Sequence, residues 1–396
     1  MLSNAADISD LRLQAKKRLP KMVFEFIDGA AGYELTAGRN RRQLDDVLLK
    51  QEVLIDVSKR TTATKVFGQD LAYPFMIGPT GLNGAFWVNG DLHLAQAAKE
   101  ANIPFIISTC ATSKLNEIER VAGDLRWFQL YMLKDRGLAK SLLDRIAGSG
   151  FHVLELTIDT PIPGRRNRDV RNGFTIPFRW NLANFFDTAM HPRWALSMLK
   201  HGAPTLKVFA EIIGKVPTGR TVSEVVQQQF SDSFTWNDID WLRDHWQGKL
   251  VLKGVSSAAN TRQAISLGLD GVVISNHGGR QLEGARSTIE CLPEVADAAA
   301  GSCTVLIDSG FRSGSDIAKA IALGADAVQL GRSTLYGLAA GGKAGVSHAL
   351  KILGSEFDIA MALSGARTPQ ELRGRVVGLR QPSEALAAVP TAVLNR

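Results

Sequence analysis

Short, nearly unbroken apolar runs recur along the chain, with helical patterns between them. The runs are PFMIGPT (74–80), PFIIST (104–109), RWFQLYM (126–132) and VLELTID (153–159). After a long gap come KLVLKGV (249–255), GVVISNH (271–277), TVLIDSG (304–310) and AVQLGR (327–332). Continuous hydrophobicity over so few residues predicts strands buried on both faces, as in a parallel sheet. Between them, DLHLAQAAKEAN, LAKSLLDRIAGSG, AANTRQAISLG and GSDIAKAIALG place apolar residues at helical intervals, several closed by a glycine. Eight strands alternating with helices predict an α/β fold, the (β/α)8 TIM barrel. An open, doubly wound sheet is the alternative, but no G-x-G-x-x-G follows the first strand.

The rhythm breaks once. From Pro161 to about Gln247 the chain leaves the barrel pattern for a long insertion after strand four. The first seventy residues read as an N-terminal helical extension with a short ribbon. After Arg332 the pattern SHALKILGSEFDIAMAL predicts a helix against the outside of the barrel. Residues 1–396 are read as a single domain.

Composition narrows the class. A hydrophobic share of 45% with 37 glycines excludes disordered, fibrous and disulfide-scaffold proteins. Cys110, Cys291 and Cys303 lie far apart without C-x-x-C spacing, so neither a structural disulfide nor a metal site is expected, and a reducing cytoplasm fits. MLSNAADISD carries no secretory signal pattern, and no apolar run is long enough to span a bilayer. The net charge of +7 comes from scattered residues without a nucleic-acid motif. Anionic lipids or anionic small molecules are the better partners for it, and nucleic acid is not expected.

Candidate chemistry collects where the apolar runs end. The ends supply Pro79, Thr80 and Gly81, then Ser108, Gln129 with Tyr131, and Thr157 with Asp159. The second half supplies Lys253, Ser275 with His277, Asp308 with Gly310, and Gly331 with Arg332. All eight ends fall on one face, where barrel enzymes keep their active sites. SGFRSGSD, with Gly310, Arg312 and Gly314, and GRS, with Gly331 and Arg332, suit a phosphate: glycine-freed N–H groups, a helix N-terminus and guanidinium forks converge. In ISNHGGRQLE (274–283), an imidazole and a guanidinium share one turn, so a carboxylate can be held while His277 meets the neighbouring carbon. Gly278 and Gly279 are expected to let the backbone approach a ligand.

SNHGGRQL, FQLY, LVLKG and IDSGFR–GSD at these intervals resemble the FMN-dependent 2-hydroxy acid dehydrogenases and oxidases, from LPKMVFEFIDGAAGYE to MALSGA. IGPTGLNGA, HPRW–HG and LGRSTLYGLAA resemble its membrane-associated, mandelate-oxidising branch. The resemblance implies FMN as cofactor and oxidation of an (S)-2-hydroxy acid to a 2-oxo acid. His277 matches the base, Asp159 its carboxylate partner, and Arg280 and Arg166 the substrate-carboxylate clamps. Arg166 has Arg165 as a neighbour that could fill the same role. Tyr131 matches a tyrosine facing the substrate, and Lys253 a lysine beside the flavin ring. Pro79, Thr80, Gly81, Ser108, Gln129, Thr157 and Ser275 would seat the ring and ribityl chain, Asp308 the ribityl hydroxyls, and Gly310, Arg312, Gly331 and Arg332 the phosphate.

Three residues depart from common members. Phe26 stands where many carry a tyrosine, Cys110 where glycolate oxidase has a tryptophan, and Gly81 where the oxidases have alanine. Together they point to (S)-mandelate or another aryl or bulky substrate and to a quinone-type acceptor at a membrane. An L-lactate dehydrogenase or an oxygen-using oxidase is the alternative, and a non-catalytic flavin- or phosphate-binding barrel a third. The resemblance also implies a homo-oligomer, a tetramer. Within the insertion, residues 177–215 carry six Phe or Trp and five Lys or Arg against two acids, a net of +3. That mixture suits a lipid headgroup boundary, so a peripheral protein on the cytoplasmic side of the membrane is expected. The competing reading folds these aromatics back over the barrel mouth or a neighbouring subunit.

Overall fold

A computed structural model describes residues 4–178, 181–214, 224 and 228–379. Eight parallel strands close into a barrel: β1 (Phe75–Ile77), β2 (Phe105–Ser108), β3 (Arg126–Tyr131), β4 (Val153–Thr157), β5 (Lys249–Val255), β6 (Gly271–Ile274), β7 (Thr304–Ile307) and β8 (Ala327–Leu330). They pair in sequential order and β8 returns to β1. Apart from β5, which fills its run, the strands stop short of the apolar runs that announce them, because the polar residues at each end turn out of the ladder. His277, for example, lies three residues beyond Ile274.

Alternation sorts each strand into an outward residue under the helices and an inward one. The lowest inward residues, Met76, Ile106, Trp127, Val153, Val251, Val273, Leu306 and Ala327, form a cluster separate from the main outer core. Val66 and Leu71 of the antiparallel ribbon 64–66/69–71 join that cluster and close the N-terminal end. Trp127 reaches the ribbon through its indole, which donates to Gln69 Oε1 at 2.9 Å. Two residues further along, the inward positions are Gly78, Ser108, Gln129, Glu155, Lys253, Ser275, Asp308 and Gln329. An apolar plug thus supports a polar floor.

The N-terminal helices Ile8–Arg18, Lys21–Asp28 and Leu35–Asp46 precede the barrel as the pattern predicts. The last long helix, Arg332–Leu363, packs on the first of them and bends at Gly341 and Gly342, whose backbone leaves helical angles. The insertion is shorter than expected. Ile239–His245 buries Ile239 and Leu242 and leads directly into β5, so it is the barrel helix between β4 and β5. Its Asp- and His-rich face, with three aromatic residues nearby, obscures that periodicity in the sequence.

Candidate active site

A cavity of roughly 540 Å³ opens at the C-terminal face. Most of the predicted residues line it: Phe26, Pro79, Thr80, Gly81, Ser108, Tyr131, Arg166, Lys253, His277, Arg280, Asp308, Gly310, Arg312, Gly331 and Arg332. Gln129, Asp159 and Ser275 stand one hydrogen bond behind, and Thr157 two. Ser108 Oγ donates to Gln129 Oε1 at 3.0 Å, and Gln129 Nε2 donates to Thr157 Oγ1 at 2.9 Å. This chain locks three neighbouring strands in one orientation.

The catalytic-type groups form a second chain. His277 Nδ1 lies 3.3 Å from Asp159 Oδ1, and Nε2 lies 3.4 Å from the Tyr131 hydroxyl. Burial opposes charge on Asp159, but His277 and Lys253 outweigh it and its pKa falls below the ordinary value. Nδ1 is thus the nitrogen oriented by a carboxylate, and Nε2 faces the cavity. Burial, with Cys110 and Asp159 nearby, holds Tyr131 well above the usual phenol value, so its hydroxyl keeps its proton. Lys253 is buried, yet Asp308, Asp159 and Glu155 together raise its pKa and keep it cationic. Its ammonium donates to Ser275 Oγ at 2.6 Å and Asp308 Oδ2 at 2.7 Å.

His277 has a φ of +57°, followed by Gly278 at +67° and Gly279 at +76°. A histidine in the left-handed region is uncommon and carries strain, a mark of functional turns. The two glycines also have close neighbours within the chain. A Cβ on Gly279 would stand 2.5 Å from the Ala37 backbone, and one on Gly278 2.7 Å from Arg332 Nη1. Gly279 thus admits the N-terminal extension and Gly278 a neighbouring arginine, and Gly278 also lines the large cavity and a smaller one beside it.

Positive charge is concentrated around the cavity. Arg280 Nη1 donates to the carbonyls of Phe26 and Gly29, both at 2.7 Å. Its Cζ lies 4.9 Å from the Phe26 ring centroid, and that of Arg166 lies 5.6 Å from the same centroid. Burial, with Arg166 and Arg332 near, pushes the Arg280 pKa well down. The sole acid paired with Arg166 among the described residues is Asp169, at 3.5 Å. Arg332 is held by the carbonyls of Ile27, Gly29 and Gly278, so it ties the extension to the histidine turn. A smaller cavity of roughly 260 Å³ adjoins this end, lined by Arg12, Arg41, Arg312 and Arg332. Arg12 and Arg41 escape a sequence reading because they sit on helices far from any strand end.

Arg12 and Arg41 are paired with Asp28 and Asp316. Arg280 and Arg332 are desolvated by burial and held by carbonyls, with no acid in salt-bridge reach among the described residues. Such guanidinium groups call for anions. The two clusters, one beside Phe26 and the histidine and one at the N-terminus of Arg332–Leu363, suit a carboxylate and a phosphate. A Cβ on Gly331, at the start of that helix, would meet nothing within 4 Å, so the phosphate end is open. Fold and site together define a barrel oxidoreductase that seats a phosphorylated cofactor beside a carboxylate substrate.

The chain belongs to the FMN-dependent dehydrogenase family, which it matches over residues 15–378. It is an FMN-dependent enzyme of the 2-hydroxy acid dehydrogenase and oxidase class. It is 39% identical to an L-lactate dehydrogenase of Yersinia pestis (strain Pestoides F) over 362 residues, 91% of this chain and 94% of that one. The crystal structure of the monotopic membrane protein (S)-mandelate dehydrogenase is similar at a TM-score of 0.88 and 41% identity, covering 93% of this chain and 98% of that one. Mandelate oxidase with (S)-4-hydroxymandelic acid is similar at a TM-score of 0.83 and 34% identity, covering 94% and 98%. FMN fits the residues present: a polar floor, a fixed ammonium and an open, arginine-lined phosphate end.

Proposed function

We propose that the protein oxidises an (S)-2-hydroxy acid with an aryl or other bulky side chain, mandelate being the representative, at the His277 end of the cavity. The observation that carries this reading is the aromatic wall. Phe26 stacks on Phe174 at 4.4 Å between centroids, directly beneath Arg166 and Arg280. An apolar ring can lie against that wall while its carboxylate meets the two guanidinium groups, a geometry that bidentate arginines favour. His277 Nε2 then takes a substrate proton, and Asp159 stabilises the imidazolium through Nδ1. Tyr131 donates its phenolic hydrogen towards the substrate oxygen. Lys253 holds positive charge at the floor, while Asp308 and the chain from Ser108 to Thr157 orient the seat. Arg312, Arg332 and the backbone at Gly310 and Gly331 take the phosphate, and Pro79, Thr80 and Gly81 cover one side. FMN supplies the two-electron acceptor when bound. Anaerobic bleaching of the flavin across a panel of 2-hydroxy acids tests the reading; faster bleaching by glycolate or lactate than by mandelate would overturn it. L-lactate is the second reading, favoured by the curated relatives.

The acceptor we propose is quinone-like and reached at a membrane, on its cytoplasmic side. Helices Leu182–Ala189 and Pro192–His201 present Leu182, Phe185, Phe186, Leu196 and Leu199 to solvent, and the turn between them presents Met190. Trp194 and Phe209 turn inward instead, the Trp194 indole donating to Ala85 O at 2.8 Å. The aromatic segment is therefore divided between barrel and surface; Arg179, Trp180 and Lys215 fall outside the described residues. No helix among the described residues is long and apolar enough to cross a membrane. An exposed apolar face beside Arg193, Lys200 and Lys207 suits an interfacial docking surface. Replacing Phe185, Phe186 and Leu199 with serine should release the protein from vesicles of anionic lipid while sparing flavin bleaching. Full retention on those vesicles would refute the anchor. A second exposed group, Val53, Leu54, Ile359 and Leu363, supports a homo-oligomer.

A further inference from the structure

Glu155 lies in the polar floor and has no place in the chemistry above. Its side chain projects from β4 into the barrel and is completely buried. Gln329 of β8, equally buried, donates from Nε2 to Glu155 Oε2 at 2.5 Å. Strands four and eight stand opposite each other in the eight-stranded ring, so this bond spans the interior. Glu155 Oε1 and Gln329 Oε1 are also buried, and neither has a hydrogen-bond partner among the described residues.

With an ionised carboxylate both orphaned oxygens are bare acceptors, a costly arrangement in a dry interior. A proton on Glu155 Oε1 supplies the missing donor, since an acid and an amide can pair through N–H to one oxygen and O–H to the other. Burial drives the carboxyl up to about 7, although Lys253 and the Gln329 hydrogen bond act against it. The charged groups acting on it are Lys253 of β5, Asp308 after β7 and Asp159 after β4. The same level on the other strands holds Gly78, Ser108, Gln129 and Ser275, none charged. Gln329 and Lys253 both line the large cavity, so the clasp has an edge on the cofactor seat.

We propose that Glu155 is a proton store beneath the flavin seat, holding a proton on Oε1 for Gln329 and exchanging it as the charge above Lys253 changes. The inference rests on the FMN reading of the cavity. Oxidation of a 2-hydroxy acid to the 2-oxo acid releases two electrons and two protons. Bound FMN would supply the acceptor for both electrons and one proton, and His277 Nε2 takes the other proton. The Glu155 proton is additional. Negative charge arriving over Lys253 raises the proton affinity of the carboxyl, so where it is ionised one proton comes from solvent to Oε1. That proton returns to solvent when the electrons leave, and the O–H bond is the only bond at Glu155 that forms or breaks.

The test uses the flavoprotein from about pH 5 to about pH 9. Its midpoint potential is measured against pH in wild type and Glu155→Gln, with infrared spectra of the oxidised and reduced forms. Wild type should take up one proton per electron pair at low pH and close to two in a window starting near 7. Glu155→Gln should stay at one throughout and lose a carboxylic-acid C=O band. Identical pH slopes in the two proteins, or no acid band at any pH, would overturn the proposal. If the variant does not accumulate, the wild-type band decides: it must gain intensity on reduction just above 7, and an unchanged band overturns the store. Purification without flavin would instead overturn the cofactor reading, a separate and visible failure.

Discussion

Met76, Trp127, Val153 and Leu306 fill the lower interior of the barrel. Two residues further along the same strands, about 7 Å higher, stand Gly78, Gln129, Glu155 and Asp308. Both layers hang on the same ladders; the lower is sealed, and the upper borders the cavity through Asp308, Lys253 and Gln329. The lower layer is held by apolar burial and a single indole bond to the ribbon. The upper layer is held by hydrogen bonds whose donors and acceptors must be matched one by one. Stability and chemistry are therefore separated by height within a single scaffold, and a substitution should affect one or the other according to the layer it enters.

Removing the imidazole gives the largest expected effect on chemistry with little effect on folding. His277→Ala should slow anaerobic flavin bleaching at least 10²–10⁴-fold, roughly the worth of a general base, while FMN stays bound. Stopped-flow bleaching at near wild-type rate would remove His277 from its role and break the comparison at its upper side. Trp127→Ala, in the lower layer, should cost about 3–5 kcal/mol of stability. Bleaching per folded molecule should be unchanged, as urea titration with activity measured in the native baseline would show.

Glu155→Gln tests the boundary between the layers. Folded Glu155 keeps its proton to about 7, against an ordinary value of 4.5. Between those values the folded state binds more protons than the unfolded one, so stability falls as pH rises through that window. The variant lacks this penalty and should gain, relative to wild type, up to ~3 kcal/mol between pH 5 and pH 8. Parallel unfolding midpoints at both pH values would mean that the carboxyl is not strained by burial. Phe26→Tyr gives the smallest change: a hydroxyl near Arg166 and Arg280 should improve lactate turnover by roughly 1.5–3 kcal/mol in kcat/KM at most. A loss for lactate would show that the added oxygen is not directed at the carboxylate.

Much of this was legible in the chain. Eight apolar runs with polar ends predict the barrel and its active face, because burial on both sides leaves little choice of residue within a strand. His277 and Asp159 are readable because each ends such a run, and Lys253 because it stands two residues from the end of one. Glu155 and Gln329 are not: each is one polar residue inside an apolar run, and their meaning lies in a pairing across 174 positions. The same limit hides the role of Gly279, whose close neighbour Ala37 lies on a helix of the extension. The burial of Trp194 and Phe209 was likewise invisible, since an aromatic residue in an insertion carries no sign of which way it faces.

The ribbon that plugs the barrel also determines traffic. With Val66 and Leu71 sealed against the lower layer, the large cavity opens at the opposite end, a mouth that reactant, product and the proposed acceptor would share. Molecules that share one doorway take turns, so the oxidised acid should leave before the acceptor approaches. Steady-state plots against both reactants would then run parallel, the signature of a ping-pong sequence, and its rate would be governed by clearance of the mouth.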